Sequence, residues 1–147
     1  MRMIFVNLPV KNVKASRAFF EALGFSINDQ FCSEDTACVV FADNIYAMLL
    51  EHKRFKDFIK GDIADNTKNK EVLTCLSCEN RAEVESLKAR ALAAGGSEWM
   101  PVQDYGFMYG DSFQDLDGHV WEIMWMDQEA AARGDHMDVE INPAANS

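Results

Sequence analysis

Apolar and polar positions alternate along residues 3–10, with Ile4, Val6, Leu8 and Val10 on one face and Phe5, Asn7 and Pro9 on the other, which predicts a strand. Its uniformly apolar face calls for a covering helix. The period then changes: Val13, Phe19, Phe20 and Leu23 recur at helical spacing. Asn12 stands where a side-chain acceptor can cap the first free amides, and Gly24 stops the run. Residues 25–31 and 37–41 read as two strands around the polar turn Ser33-Glu34-Asp35-Thr36, and Asp43-Asn44 turns the chain into a further strand at 46–51.

The same plan returns in the second half. A strand at 72–78 leads to Asn80, followed three residues later by Glu83 in a capping-box spacing. Val84, Leu87, Ala91 and Leu92 form the apolar stripe of a helix that Gly95-Gly96 ends. Strands follow near 98–103, 107–114 and 119–126. The two copies agree in register: Phe5 lies seven residues before Asn12 as Leu73 lies seven before Asn80, and Met48 follows Asp43 by five as Glu122 follows Asp117. Two βαβββ modules, 1–51 and 71–127, are the economical reading, and a single pair points to a paired fold rather than a solenoid.

Between them, residues 52–70 mix charges with a small apolar patch, Phe55, Phe58 and Ile59, and read as a linker with at most a helical turn. That patch is either an anchor for the linker or a lid over a pocket. Residues 128–147 are acidic and Ala-rich, which predicts a short helix followed by a frayed tail without a catalytic role.

Composition narrows the function classes. With 147 residues and 48% hydrophobic content, the chain is long enough for one domain with a real core. A net charge of −10 excludes a nucleic-acid phosphate partner and offers nothing to anionic membranes. No basic segment leads into an apolar run with a cleavage site, and no apolar run approaches the roughly 20 residues that span a bilayer, so a cytoplasmic protein is expected. The four cysteines are expected as thiols. Cys75 and Cys78 have redox or zinc spacing, but on a strand positions three apart point to opposite faces, so buried small side chains are the expectation.

The chemistry concentrates at residues 104–126. An apolar strand there carries one carboxylate, Glu122, among Val120, Trp121, Ile123, Met124 and Trp125. An ionisable group so placed is costly to bury unless stabilised or neutralised by a proton. The turn Asp115-Leu116-Asp117-Gly118-His119 before it is not an EF-hand, because the sixth position is Val120 and the twelfth is Met126. It reads as a β-turn, with His119 a hydrogen-bonder at the strand start. His119 and Glu122 lie on opposite strand faces, and His52 and His136 lie elsewhere in sequence, so no histidine joins Glu122 in an ion site without a bulge.

The segments FVNLPVKNVKASRAFFEALGF, LSCENRAEV and DLDGHVWEIMWMD together resemble the vicinal oxygen chelate superfamily, which includes glyoxalase I, fosfomycin-resistance and bleomycin-binding proteins and extradiol dioxygenases. The resemblance covers residues 3–127. NLPV with DYGFMYG and GHVWEIMWMD is similar, more narrowly, to bacterial proteins labelled predicted lactoylglutathione lyases. It implies an α+β fold of two βαβββ modules whose curled mixed sheets surround a cleft, with metal ligands at four strand positions. Those positions here are Phe5, Met48, Leu73 and Glu122, of which only Glu122 has a suitable donor. No cofactor is therefore expected, and a divalent cation held weakly by Glu122, Asn7 and waters is the one metal arrangement left open.

If both sheets curl as the resemblance implies, Phe5, Asn7, Tyr46, Met48, Leu50, Leu73, Cys75, Val120, Glu122 and Met124 face the cleft, fringed by Tyr105, Phe107 and Tyr109. Such a Met-rich, aromatic surface suits a small, partly apolar ligand. In one reading Glu122, its pKa raised by desolvation above about 4.3, is a metal-free acid or base, with Asn7 or a tyrosine positioning substrate. In another the cleft binds or sequesters its ligand without turnover, as bleomycin-binding proteins do. A metal-dependent lyase or dioxygenase is the third. The exposed edges of two curled sheets predict a homodimer.

Overall fold

The structure is a computed structural model and describes residues 1–134. They form two compact units, residues 1–69 with the turn tip 116–118, and residues 70–115 with those from 119 onward. The first contains β1 (Ile4–Val10), α1 (Val13–Ala22), β2 (Ser26–Ile27), β3 (Thr36–Ala42), β4 (Ile45–Glu51) and the short helix α2 (His52–Phe55). Its strands lie in the order β1-β4-β3-β2, with β1 parallel to β4 and the other pairs antiparallel. The helix α1 packs over β3 and β4 and buries Val13, Phe19 and Phe20 with Leu23, the residues that its periodicity marks.

The ends of α1 are fixed as the sequence implies. Asn12 Oδ1 accepts the Ala15 N–H at 3.0 Å, and Glu51 Oε2 accepts the Val13 N–H at 2.9 Å, so two of the helix's orphan donors are satisfied. Two expectations fail in this unit. Ile4 and Phe5 are exposed, and burial along β1 is complete only at Val10, because the covering helix sits over the neighbouring strands. The strand at 25–31 shrinks to β2, since Asn28 Oδ1 accepts the Gln30 N–H at 3.1 Å and draws residues 29–31 into a 3-10 turn.

The second unit contains β5 (Leu73–Ser77), α3 (Arg81–Ala93), β6 (Ser97–Glu98), β7 (Gln103–Asp104), β8 (Met108–Gln114), β9 (Val120–Met126) and α4 (Gln128–Ala132). Its sheet runs β5-β9-β8-β6, with β7 also on β8 and β5 parallel to β9. The helix α3 lies over β8 and β9, with Val84, Leu87 and Ala91 buried on it and Phe113, Trp121 and Ile123 buried on the strands. Asn80 Oδ1 caps the helix by accepting the Glu83 N–H at 2.8 Å. Leu92, placed in the apolar stripe by its spacing, is exposed. The strand at 98–103 splits into β6 and β7 because Pro101 has no N–H to give a ladder, and the Met100 N–H goes instead to Ser112 Oγ at 3.1 Å.

The turn before β9 is scaffold, as its residue types imply. Asp115, nearly buried, accepts the His119 N–H at 3.0 Å and the Trp121 indole N–H at 2.9 Å. Gly118 takes a φ of 83°, a conformation that favours glycine. Asp117 accepts the Lys11 N–H at 2.7 Å and the Ser16 hydroxyl at 3.2 Å. After β9, Asp127 caps α4 through the Glu129 and Ala130 N–H groups. The expected frayed tail, with His136, lies beyond residue 134 and outside the described residues. No helix among the described residues is long and apolar enough to cross a membrane.

Candidate functional site

Strand register reproduces the repeat that the sequence spacing shows. In the first unit Phe5 pairs with Tyr46 and Asn7 with Met48; in the second Leu73 pairs with Val120 and Cys75 with Glu122. Alternation along β9 sends Trp121 and Ile123 into the core under α3 and leaves Glu122 and Met124 on the open face. Glu122 is thus half-buried at the surface of a cavity rather than enclosed in the core.

That cavity holds about 410 Å³, within the range of small-molecule sites. Cys75, Gly110, Ser112, Glu122 and Met124 line it from adjacent strands, and Trp99, Met100, Pro101 and Gln103 line it from the broken-strand segment, joined by Leu73, Met108, Asp111 and Ile123. Gly110 leaves an open patch: a Cβ there would rest 3.7 Å from Met124 Cβ in ordinary contact. Trp99 to Pro101 and Gln103 were not expected in the wall because residues 98–103 read as one continuous strand, and Met108, Gly110, Asp111 and Ser112 were not because Tyr105, Phe107 and Tyr109 were expected to fringe the cleft from that part of the chain. A proline inside 98–103 was the available signal.

The two acidic residues that border this cavity differ in state, since Asp111 pairs with Ile123 and turns its carboxylate toward α3. Asp111 Oδ1 accepts from Lys88 Nζ at 3.1 Å and from the Ser112 N–H at 2.8 Å, and Lys88 is further held by Glu98 at 2.7 Å. Asp111 is thereby spoken for. The Glu122 carboxylate has no hydrogen bond or ion pair among the described residues, and its electrostatic neighbour is the Cys75 thiol. Ser112 Oγ, across the ladder from Glu122, is occupied with the Met100 backbone.

Burial, reinforced by the Glu122 carboxylate, pushes the Cys75 thiol up from its usual value, although one side of the residue opens to solvent. Burial and the Glu83 carboxylate push Cys78 up to about 12. Both are thiols at neutral pH, which disfavours thiolate chemistry. Cys75 is exposed and Cys78 half-buried, so the expectation that both are buried small side chains is corrected. Exchanging Glu122 for glutamine removes the nearby negative charge, so Cys75 should titrate lower and react roughly two- to threefold faster with iodoacetamide near pH 8.5. Peptide mapping of the alkylated protein reads this directly, and an unchanged Cys75 rate would contradict the contact.

The rest of the expected cleft set is divided. Phe5, Asn7, Met48 and Leu50 line a cavity within the first unit, and Leu73, Cys75, Glu122 and Met124 line the one just described. Tyr46 lines neither: its ring stacks on Phe5 with centroids 4.6 Å apart, and its hydroxyl donates to the Asp43 carbonyl at 2.7 Å. Val120 is buried. Tyr105, Phe107 and Tyr109 line neither of these two cavities; the Phe107 carbonyl accepts the Asp127 N–H, and the Tyr109 ring lies 4.3 Å from the Arg81 guanidinium that pairs with Asp104. Phe58 of the linker patch is exposed and lines the first cavity, whereas Phe55 and Ile59 are half-buried.

A divalent metal at the four positions that the fold implies would meet a phenyl ring, a thioether, an isobutyl group and one carboxylate, at Phe5, Met48, Leu73 and Glu122. Such a metal normally needs about three N, O or thiolate ligands from protein. Among the described residues no three His, Cys, Asp or Glu side chains come together in a way that could hold one. The donor set does not fit the metal.

Residues 2–41 match the family described as bleomycin resistance protein-like, N-terminal. No curated protein matches the chain. Among solved structures, a hypothetical protein from S. aureus is 26% identical, with a TM-score of 0.72 over 85% of this chain and 94% of that one. A glyoxalase/bleomycin resistance protein/dioxygenase family enzyme from Burkholderia phytofirmans is 16% identical, with a TM-score of 0.70 over 86% and 99%. A glyoxalase-related enzyme from Fulvimarina pelagi is 19% identical, with a TM-score of 0.69 over 85% and 88%. The N-terminal segment is thus similar to the bleomycin resistance protein-like family, and the chain shares the fold of two mixed sheets with these glyoxalase/bleomycin resistance/dioxygenase structures.

Proposed function

We propose that the second unit's cavity binds a small, partly apolar metabolite and that Glu122 acts on it as a metal-free general acid or base. The observation that carries this reading is that Glu122 faces the cavity with no hydrogen bond among the described residues, whereas Asp111 is bound by Lys88 of α3. A substrate of the α-hydroxy carbonyl class would give the proton of its hydroxyl-bearing carbon to the carboxylate, and Glu122, now a carboxylic acid, would return it to the former carbonyl carbon while the hydroxyl proton passes to the former carbonyl oxygen, so that the two groups exchange places. The Gln103 amide supplies the donor for the developing oxyanion that Asn7 or a tyrosine was expected to supply, since neither lines this cavity.

A panel of small carbonyl and epoxide compounds, followed by NMR in the presence of excess chelator, tests the activity. Conversion that survives chelation supports it. Gly110→Val puts a branched side chain into the cavity without backbone strain, so it should lower conversion about tenfold or more with little change in stability. Conversion lost on chelation and restored by divalent metal, or undiminished in the valine variant, refutes it.

A binding function without turnover is the second reading, and the match of residues 2–41 to the bleomycin resistance protein-like family favours it. In that case Glu122 pairs with a cationic or hydroxylated group of the ligand, and stoichiometric binding leaves no product. The same reading includes assembly as a homodimer, supported by β1 and β5, which stand at the edges of their sheets with Ile4 and Leu73 exposed. Light scattering of the eluted protein should then give twice the chain mass.

A further inference from the structure

The first unit's cavity, about 540 Å³, is chemically unlike the second. Three phenylalanines border it while remaining open to solvent: Phe5 is 39% exposed, Phe31 53% and Phe58 63%. Each is positioned by a specific feature. Tyr46 stacks nearly parallel to Phe5, at an interplanar angle of 9°, and the Arg54 guanidinium covers Phe58 at 4.6 Å from the ring centroid. Phe31 is presented by the 3-10 turn that Asn28 caps. Aromatic rings left uncovered around one concavity make an incomplete set of stacking surfaces.

The polar part of the lining carries a single charged side chain. Arg54 is its one cation, and it is paired with Asp57 at 3.0 Å. Asp35 also lies within electrostatic reach of Arg54, and hydrogen bonds from Ser33 and Thr36, with a smaller contribution from Arg54, hold its carboxyl below the usual range. A ligand anion would find the guanidinium already engaged by carboxylates, and a ligand cation would meet that guanidinium in the wall. Asn7 and Gln30 offer amide donors and acceptors without charge.

From this we infer that the first unit holds a binding site of its own, which takes an uncharged planar aromatic or heteroaromatic molecule between the Phe5, Phe31 and Phe58 rings, with Asn7 and Gln30 meeting its polar edge. Arg54 and Phe58 come from the linker, so the segment joining the modules builds one wall of the site. Glu122 plays no part in it.

Quinoline, which is neutral near pH 8, is a suitable probe, with benzoate and benzamidine as charged counterparts of similar size. Titrated into the 15N-labelled full chain, quinoline should shift the Asn7 and Gln30 side-chain amides and the backbone amides of residues 31–36 saturably, with a Kd below about 1 mM. Phe31→Ala and Phe58→Ala, both at exposed rings, should each weaken binding about fivefold or more with the rest of the spectrum unchanged, and Glu122→Gln should leave it unaltered. Benzoate and benzamidine should bind about tenfold more weakly. The inference is overturned if quinoline does not saturate, if either charged compound binds as well, or if both alanine variants bind like the parent. Loss of binding in Glu122→Gln would overturn it separately from the proposal for the second cavity.

Discussion

Glu122→Gln should lower turnover on whatever substrate the second cavity accepts by about a hundredfold or more, the contribution typical of a positioned general acid or base. Glutamine keeps the size and most of the hydrogen-bonding shape of the side chain and cannot take or return a proton. Stability should move by no more than about 0.5 kcal/mol, because the half-buried carboxylate has no hydrogen bond or ion pair among the described residues that the substitution would orphan. This combination separates chemistry from scaffolding. A variant that turns over normally removes Glu122 from the mechanism, and one that unfolds assigns the residue a structural role. If the protein only binds, the same substitution should instead weaken binding about tenfold or more, the usual cost of losing a charged hydrogen-bond partner.

Asp115→Ala should have the largest effect on stability, about 3 kcal/mol, seen as a melting temperature lower by roughly 6–12 °C. Asp115 is 6% exposed and accepts from the His119 backbone and the Trp121 indole, and Trp121 is itself 1% exposed. Removing the carboxylate leaves both N–H groups buried without that acceptor and loosens the turn that sets the register of β9, the strand carrying Glu122. Asp115→Asn, which keeps one acceptor oxygen, should lose about half as much. A melting temperature unchanged in the alanine variant would show that the turn does not hold β9.

Much of this architecture is legible because it rests on local rules. Asn12 and Asn80 cap helices where their positions predict, and Phe5/Leu73 and Met48/Glu122 occupy equivalent places in two strand ladders. Period-two alternation also decides that Glu122 faces outward while Trp121 and Ile123 face inward. What escaped is the competition between local and ladder hydrogen bonds. Asn28 bends residues 29–31 out of a predicted strand and so presents Phe31, and Pro101 interrupts another, so that Trp99 and Met100 become cavity wall. Tyr46 is a different case. Its face was correct, but its stack on Phe5 keeps it behind the cavity lining, and pairwise ring geometry is not written in strand periodicity.

The proposal that the second cavity is a metal-free site lined by Glu122 is tested most directly by native mass spectrometry of freshly purified protein never exposed to chelator, alongside Glu122→Gln prepared identically. The parent chain should carry a small organic molecule and no divalent metal, and the glutamine variant should retain less of that molecule. One divalent ion per chain in the parent, absent from the variant, would contradict the proposal.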